Sequence, residues 1–248
     1  MPSPHCLNCS PSAQPGICRE GKRYAIHSCG NSFRSCHRSD RRWFALAALR
    51  IEGTQAMIAG HFGFAAFAKS REPRVPLWCL MLATVWLDIV FVPMFLMKLE
   101  TLEPVPGLQG GYGGNIIHAD YTHSLVGALV LSLIFGLIFG VRWGRRCAIV
   151  LALVSFSHWV LDLVVHRHDM PILPRNLGNL PRLGFGLWQF RTGSVLVELL
   201  LVILGAWSYW RAAGLVTGAA QRGHTRALIT AVLIFLCGVT VLALDVTG

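Results

Sequence analysis

Long apolar stretches with few charges dominate the pattern of this 248-residue sequence. An α-helix needs about 20 apolar residues to cross the hydrocarbon core of a bilayer. Six stretches come near that length: 53–68, 75–97, 121–141, 147–165, 192–210 and 227–244. The third and sixth show no polar face at helical spacing, which buried helices of a soluble protein would require. The sequence therefore predicts an all-α fold, a polytopic membrane helical bundle of about five to six transmembrane helices.

The composition and the placement of charge agree with this interpretation. Hydrophobic residues make up 54% of the chain and charged residues 14%, against about 25% charged in soluble domains. Three loops that fall on one side of the predicted membrane carry nine Lys and Arg residues, and the opposite side carries five. Because basic loops stay in the cytoplasm, the nine indicate the cytoplasmic side. We expect a multi-pass protein of the cell (inner) membrane.

Residues 1–56 differ from the rest of the chain. They hold 8 of the 22 basic residues and 5 of the 8 cysteines, with no long apolar stretch. The pair Cys6 and Cys9 has zinc-ligand spacing, but the other cysteines form no second clean pair. We interpret 1–56 as a Cys- and Arg-rich extension that is disordered or arises from a mis-assigned start before Met57, rather than as a zinc module. Residues 57–248 form the predicted membrane bundle.

Ionisable residues within the predicted spans gather at one depth. Charged side chains inside a membrane are costly and mark functional sites by default. With the orientation above, five spans bring polar groups to the outer layer, while the inner halves stay apolar. The residues concerned are His61, Asp88, His118, Asp120, His123, His158, Asp162, His166 and Glu198. We therefore expect a site at the outer layer of the bundle.

Residue types and spacing suggest a metal site. His158 and Asp162 are four residues apart, so they share a helix face about 6 Å apart along the axis. A divalent ion is expected on these two residues plus His118, His123 or both. Asp88 is a ligand, an orienting carboxylate or a general base, and His61 is a ligand or a helix–helix hydrogen-bond partner. Imidazole and carboxylate suit Zn²⁺ first, and also Mn²⁺ or Fe²⁺.

The segments 118–125 (HADYTHSL), 157–162 (SHWVLD) and 166–171 (HRHDMP) resemble the YdjM-type family of membrane-bound metal-dependent hydrolases. The resemblance covers about 57–210 and includes the Leu-Asp of 87–88 and GFGLW at 184–188. The resemblance implies metal or catalytic roles for His61, Asp88, His118, His123, His158, Asp162 and His166. Many members carry a second acid where this chain has Val90. Either one ligand is missing, or Asp120 replaces it, or the site holds one metal.

A metal-dependent hydrolase acting on a phosphoester or lipid-like substrate at the outer face is the function that the resemblance and the residues favour. Asp88 or Asp120 would be the general base. The arginines of the loop after the fourth span would clamp a phosphate or contact anionic lipid headgroups; they are Arg167, Arg175, Arg182 and Arg191. The alternatives are a transporter that uses the same residues as a proton or cation path, and a non-catalytic scaffold. Expected partners are the lipid bilayer and a small-molecule or lipid substrate, with no nucleic acid; the oligomeric state stays open.

Overall fold

The computed structural model describes residues 57–106, 114–217 and 221–247. The predicted extension 1–56 lies outside the described residues. The helices are α1 (Ile58–Arg71), α2 (Leu77–Thr84), α3 (Trp86–Leu96), α4 (Leu125–Gly140), α5 (Arg145–Val165), α6 (Arg191–Thr217) and α7 (Gln221–Thr247). The strands are β1 (Thr101–Pro104) and β2 (Asn115–His118), and short 3-10 turns cover Pro174–Asn176 and Leu187–Gln189.

Three of the described helices, α5, α6 and α7, are long and apolar enough to cross a membrane. The consecutive helices α2 and α3 make a fourth if the bent pair counts as one span, while α1 and α4 are shorter. The chain is therefore mainly helical and carries the spans of a membrane protein, as the sequence predicts. The count of five to six spans stays a prediction.

Apolar side chains cover much of the outer surface of the helices. On α4, Leu129, Leu133 and Leu137 are 41%, 57% and 65% exposed, and Val126 and Val130 lie beside them. A continuous apolar patch of this kind is unusual on a soluble monomer. Lipid acyl chains cover such a surface without cost, which is why α4 suits a membrane despite its 16 residues.

Helix α1 packs mainly against α6, and α4 packs against α5. The contact between α1 and α6 is close because Gly63 of α1 faces Gly205 of α6. A Cβ atom on Gly63 would lie 2.5 Å from the carbonyl oxygen of Leu201. Small residues let helix backbones approach in membranes, where packing replaces the hydrophobic effect. This contact holds the start of α1, including His61, against α6.

The predicted span at 75–97 is not one straight helix. It breaks at Val85 (φ −118°, ψ 12°), and α2 and α3 meet at a bend of 47°. A break of this kind frees backbone groups from the helix ladder, and they need other partners inside a membrane. The carbonyl of Thr84 finds one in His158, which lies on α5.

A two-stranded antiparallel hairpin lies between α3 and α4, so the all-α prediction was incomplete. Thr101 pairs with His118 and Pro104 pairs with Asn115. Beyond the hairpin, the side chain of Ser124 accepts the N–H of Gly127 at 3.0 Å and caps α4. The cap sets the start of α4 and thereby the position of the preceding residue, His123.

Replacing Gly63 with Ala is expected to separate α1 from α6, because the added methyl group meets backbone that cannot move aside. Overpacking of this type costs about 1–3 kcal/mol, so the melting temperature of the detergent-purified protein should fall. Gly214→Ala on α6 is the matched control, since its Cβ would meet only the ring of His224, at an ordinary contact distance of 3.7 Å. Equal melting temperatures for both variants would contradict this packing.

Candidate metal centre

Side chains from α1, α3, α5 and the residue before the α4 cap meet in one cluster. His61, His123, His158 and Asp162 are buried, and Asp88 lies at the edge with its side chain 32% exposed. Two groups could each hold a metal ion: one is His61, His158 and Asp162, and the other is Asp88, His123 and His158. His158 belongs to both, so it is the centre of the cluster.

The ring of His158 is oriented by the broken helix. Its Nδ1 lies 2.7 Å from the carbonyl oxygen of Thr84. A carbonyl oxygen only accepts, so Nδ1 carries the proton and donates it. In the neutral ring Nε2 then keeps its lone pair, which is the form in which imidazole binds a metal.

His123 is oriented through a buried threonine and a buried glutamate. The Glu100 carboxylate accepts the backbone N–H groups of Tyr121 and Thr122 at 2.9 and 2.8 Å, and Thr122 Oγ1 lies 3.0 Å from both of its oxygens. The hydroxyl donates its proton to that carboxylate, so it accepts the one on His123 Nδ1, 2.9 Å away. In the neutral ring of His123, Nε2 is therefore also the nitrogen without a proton.

These two Nε2 atoms face each other. His123 Nε2 and His158 Nε2 are 3.2 Å apart, and two lone pairs at this distance repel unless a cation or a proton lies between them. Asp88 Oδ1 is 3.5 Å from each nitrogen, and Asp162 Oδ2 is 2.9 Å from His158 and 3.5 Å from His123. Ligand atoms around a tetrahedral Zn²⁺ are about 3.3 Å apart, given bonds of about 2.0–2.1 Å. The atoms of Asp88, His123 and His158 fit one divalent ion, with Asp162 close to both nitrogens, although the same distances also fit Asp–His ion pairs.

Asp162 uses its second oxygen to hold α1 in place. Oδ1 lies 3.1 Å from Nε2 of His61, whose ring stacks on His158 with centroids 4.1 Å apart. Two buried atoms of the cluster, His61 Nδ1 and Asp88 Oδ2, have no hydrogen-bond partner among the described residues. Unpaired buried polar atoms are costly, and these two are free to contact a ligand.

His166 lies beside the cluster and has its own carboxylate. Its Nδ1 is 3.0 Å from Asp169 Oδ1, and Asp169 Oδ2 accepts the N–H of Ile117 at 3.1 Å. Nε2 of His166 is 3.9 Å from Asp162 Oδ2, and His166 belongs to neither metal-binding group. Because the carboxylate accepts the Nδ1 proton, Nε2 is a proton acceptor next to the centre.

A cavity of about 210 Å³ lies over the cluster. His61, Asp88, His123, Asp162 and His166 contribute its polar part. The walls are apolar and come from α1, α3, the hairpin and the 3-10 turn at Leu187–Gln189; they are Met57, Ile58, Phe91, Val92, Phe95, Leu102, Ile117 and Trp188, with Asn115 at one side. The centre is therefore accessible from a mainly apolar chamber.

Two sequence-predicted residues lie in other ion pairs. His118 Nε2 is 3.2 Å from Glu103 Oε2, on the exposed side of the hairpin. The carboxylate of Asp120 pairs with Arg182 at 2.9 Å. Neither belongs to the groups that could hold a metal ion among the described residues. Asp88 is therefore better placed than Asp120 to act at the cluster.

The four predicted substrate-binding arginines are absent from the described lining of the cavity. Arg182 also donates to the carbonyl of Asp169 at 2.8 Å, so it ties the segment before α4 to the loop after α5. Arg191 donates to the carbonyl of Val246. Arg175 is exposed and Arg167 is half-buried. Their predicted role in binding a phosphate remains a prediction.

Glu198, the last of the predicted polar residues, is fully buried and accepts the N–H of Gly60 at 3.2 Å. Gly60 is in the first turn of α1, where free N–H groups and the helix dipole favour a carboxylate. Glu198 thus anchors the start of α1, which carries His61.

Sequence reasoning missed Glu100 and the carbonyl of Thr84. Glu100 lies outside the predicted spans, and nothing in its neighbourhood links it to His123, 23 positions further on. The Thr84 carbonyl becomes an acceptor through the helix break, which an uninterrupted apolar stretch does not reveal. The hydrogen bond between His123 and Thr122, in contrast, joins sequence neighbours.

Comparison of the chain with protein-family models, with curated proteins and with solved structures found no match. The apolar helices and the cluster define a helical membrane protein with a candidate His/Asp metal centre.

Glu100→Gln is expected to weaken metal binding about 10- to 100-fold, the usual effect of losing a group that orients a ligand. The amide can donate a hydrogen bond to Thr122 Oγ1, and the hydroxyl is then free to donate to His123 Nδ1. The proton of the neutral His123 ring would in that case sit on Nε2, where it blocks metal binding. Zn²⁺ titration of the purified protein with a competing chelator measures the change. Glu103→Gln is the matched control, because this glutamate contacts the exposed His118. Equal affinity in both variants would contradict the role of Glu100.

Proposed function

We propose that this protein is a membrane-embedded metal-dependent hydrolase of the YdjM-type family. Its metal centre consists of Asp88, His123 and His158, which leaves a fourth position open, and Asp162 lies beside it; Zn²⁺ is the first choice and Mn²⁺ or Fe²⁺ are the others. The protein is multi-pass, with five to six spans in the inner membrane, and the centre lies towards the outer face. The facing Nε2 atoms of His123 and His158, 3.2 Å apart, carry the proposal.

Hydrolysis is supported by the cavity next to the cluster. A divalent ion supplies Lewis acidity and an activated water. Asp88, His123 and Asp162 line the cavity, so substrate and water can reach them. A structural zinc site would be closed by four protein ligands and would need no cavity. The polar edge of this cavity, formed in part by Asp88, is where a reacting bond would lie.

Two of the chain's own groups can move protons there. Asp88 Oδ2 lacks a partner among the described residues and can accept a proton from water. His166, held through Nδ1 by Asp169, can use Nε2 to accept a proton and pass it to the leaving group. The arrangement of a histidine held by a carboxylate is the one that hydrolases use to fix tautomer and direction.

Elemental analysis of detergent-purified protein tests the metal. We expect about one divalent ion per chain in the wild type and its loss in His158→Ala, since this residue belongs to both candidate groups. His168→Ala, at an exposed position two residues beyond His166, should keep the ion. Wild-type protein without stoichiometric metal would contradict the proposal, and so would unchanged content in a folded His158→Ala variant.

His166→Ala separates proton transfer from metal binding. We expect the variant to keep its metal and to lose about a hundredfold in kcat, which is within the range for a general acid–base group. Hydrolysis of a panel of fluorogenic esters and phosphoesters, read together with metal content, measures both. His168→Ala serves again as the control. Loss of metal in His166→Ala would instead make His166 a ligand, which is one of the roles that the family resemblance implies.

A further inference from the structure

The chemistry of the cavity narrows the substrate, provided that the proposed hydrolase function holds. Among the described residues, its lining contains no Lys or Arg. Asp88 and Asp162 bring two negative charges, which one divalent ion only balances. A phosphate dianion would therefore enter an apolar chamber without a cation of its own, and burying an unpaired charge is costly. An uncharged reacting group carries no such cost.

One wall of the cavity offers an uncharged hydrogen-bond donor. Trp188 lines the chamber and is 3% exposed, and its indole N–H has no acceptor among the described residues. Its ring lies 4.5 Å from that of His166, so the donor is close to the reacting groups. A buried Trp N–H usually finds an acceptor. The carbonyl oxygen of a substrate is a suitable one, since it accepts a hydrogen bond without bringing a charge.

The cavity also borders the lipid-exposed side of α3. Ile89, Val92 and Leu96 form one stripe on this helix and are 42%, 38% and 48% exposed. Val92 lies in the middle of that stripe and also lines the cavity. Phe91 and Phe95 continue the apolar wall inwards. An acyl chain in the bilayer can therefore reach the cluster along α3 without passing through water.

We propose that the substrate is an uncharged acyl ester of a lipid, whose chain lies between α3 and the hairpin and whose carbonyl oxygen accepts the Trp188 N–H. Water adds to the acyl carbon and the bond from that carbon to the alkoxy oxygen breaks. The products are a carboxylic acid and an alcohol, and the alkoxy oxygen takes the proton that the water loses.

Three probes with the same fluorescent leaving group test the class of substrate: 4-methylumbelliferyl octanoate, acetate and phosphate, with zinc-loaded protein in nanodiscs and His158→Ala as background. We expect octanoate to exceed acetate by about tenfold or more in kcat/KM, and phosphate to stay at background. Hydrolysis of phosphate alone would overturn the ester proposal and leave the hydrolase standing. Equal rates for octanoate and acetate would overturn the acyl subsite. Hydrolysis of none of the three would overturn both proposals.

Two variant pairs test the placement of the ester. Trp188→Phe keeps the ring and removes the donor, so kcat/KM for octanoate should fall about tenfold, while Trp210→Phe on α6 should not change it. Val92→Trp fills the cavity beside the lipid and should lower the octanoate rate more than the acetate rate. Leu133→Trp, on the exposed side of α4, is its control. All four should keep their metal, and equal rates within either pair would overturn the corresponding contact.

Discussion

The Nε2 atoms of two histidines, His123 and His158, face each other in the interior of this protein, and two carboxylates surround them. Unscreened lone pairs and negative charges at 2.9–3.5 Å cannot remain together in a medium of low dielectric constant without a positive charge between them. This requirement connects the rest of the structure. The partners of the two Nδ1 atoms fix the tautomers of His123 and His158. They therefore determine that the positive charge has to lie between the two Nε2 atoms.

Each irregular part of the fold contributes one group to this arrangement. The break between α2 and α3 supplies the Thr84 carbonyl, and Ser124 stops the chain from becoming helical until after His123. The close glycine contact between α1 and α6 and the Glu198 carboxylate at the start of α1 hold His61 against Asp162. Regular helices alone would satisfy their own backbone groups and leave nothing to orient a side chain.

The same irregular segments form the cavity. Helix α3, turned by 47° from α2, brings Phe91, Val92 and Phe95 beside the cluster, and the hairpin adds Leu102 and Ile117 to the lining. One chamber thus joins a polar centre to an apolar surface that faces lipid. The proposed hydrolysis of a lipid would need these two environments next to each other, because the reacting bond and the chain of a lipid differ in polarity.

The amino-acid sequence by itself determined the helical membrane character, through the length of its apolar stretches, and the chemistry of the cluster, through the rare His and Asp residues within them. The spacing of His158 and Asp162 also followed, since four residues make one helical turn. The sequence could not separate His123 from His118 or Asp88 from Asp120, because each pair is similar in type and position. Tertiary structure decided both: the antiparallel register places His118 diagonally from Glu103, and Arg182 from a distant loop neutralises Asp120. Glu100 and the Thr84 carbonyl likewise became part of the site only through contacts between segments far apart in the chain, which local pattern does not encode.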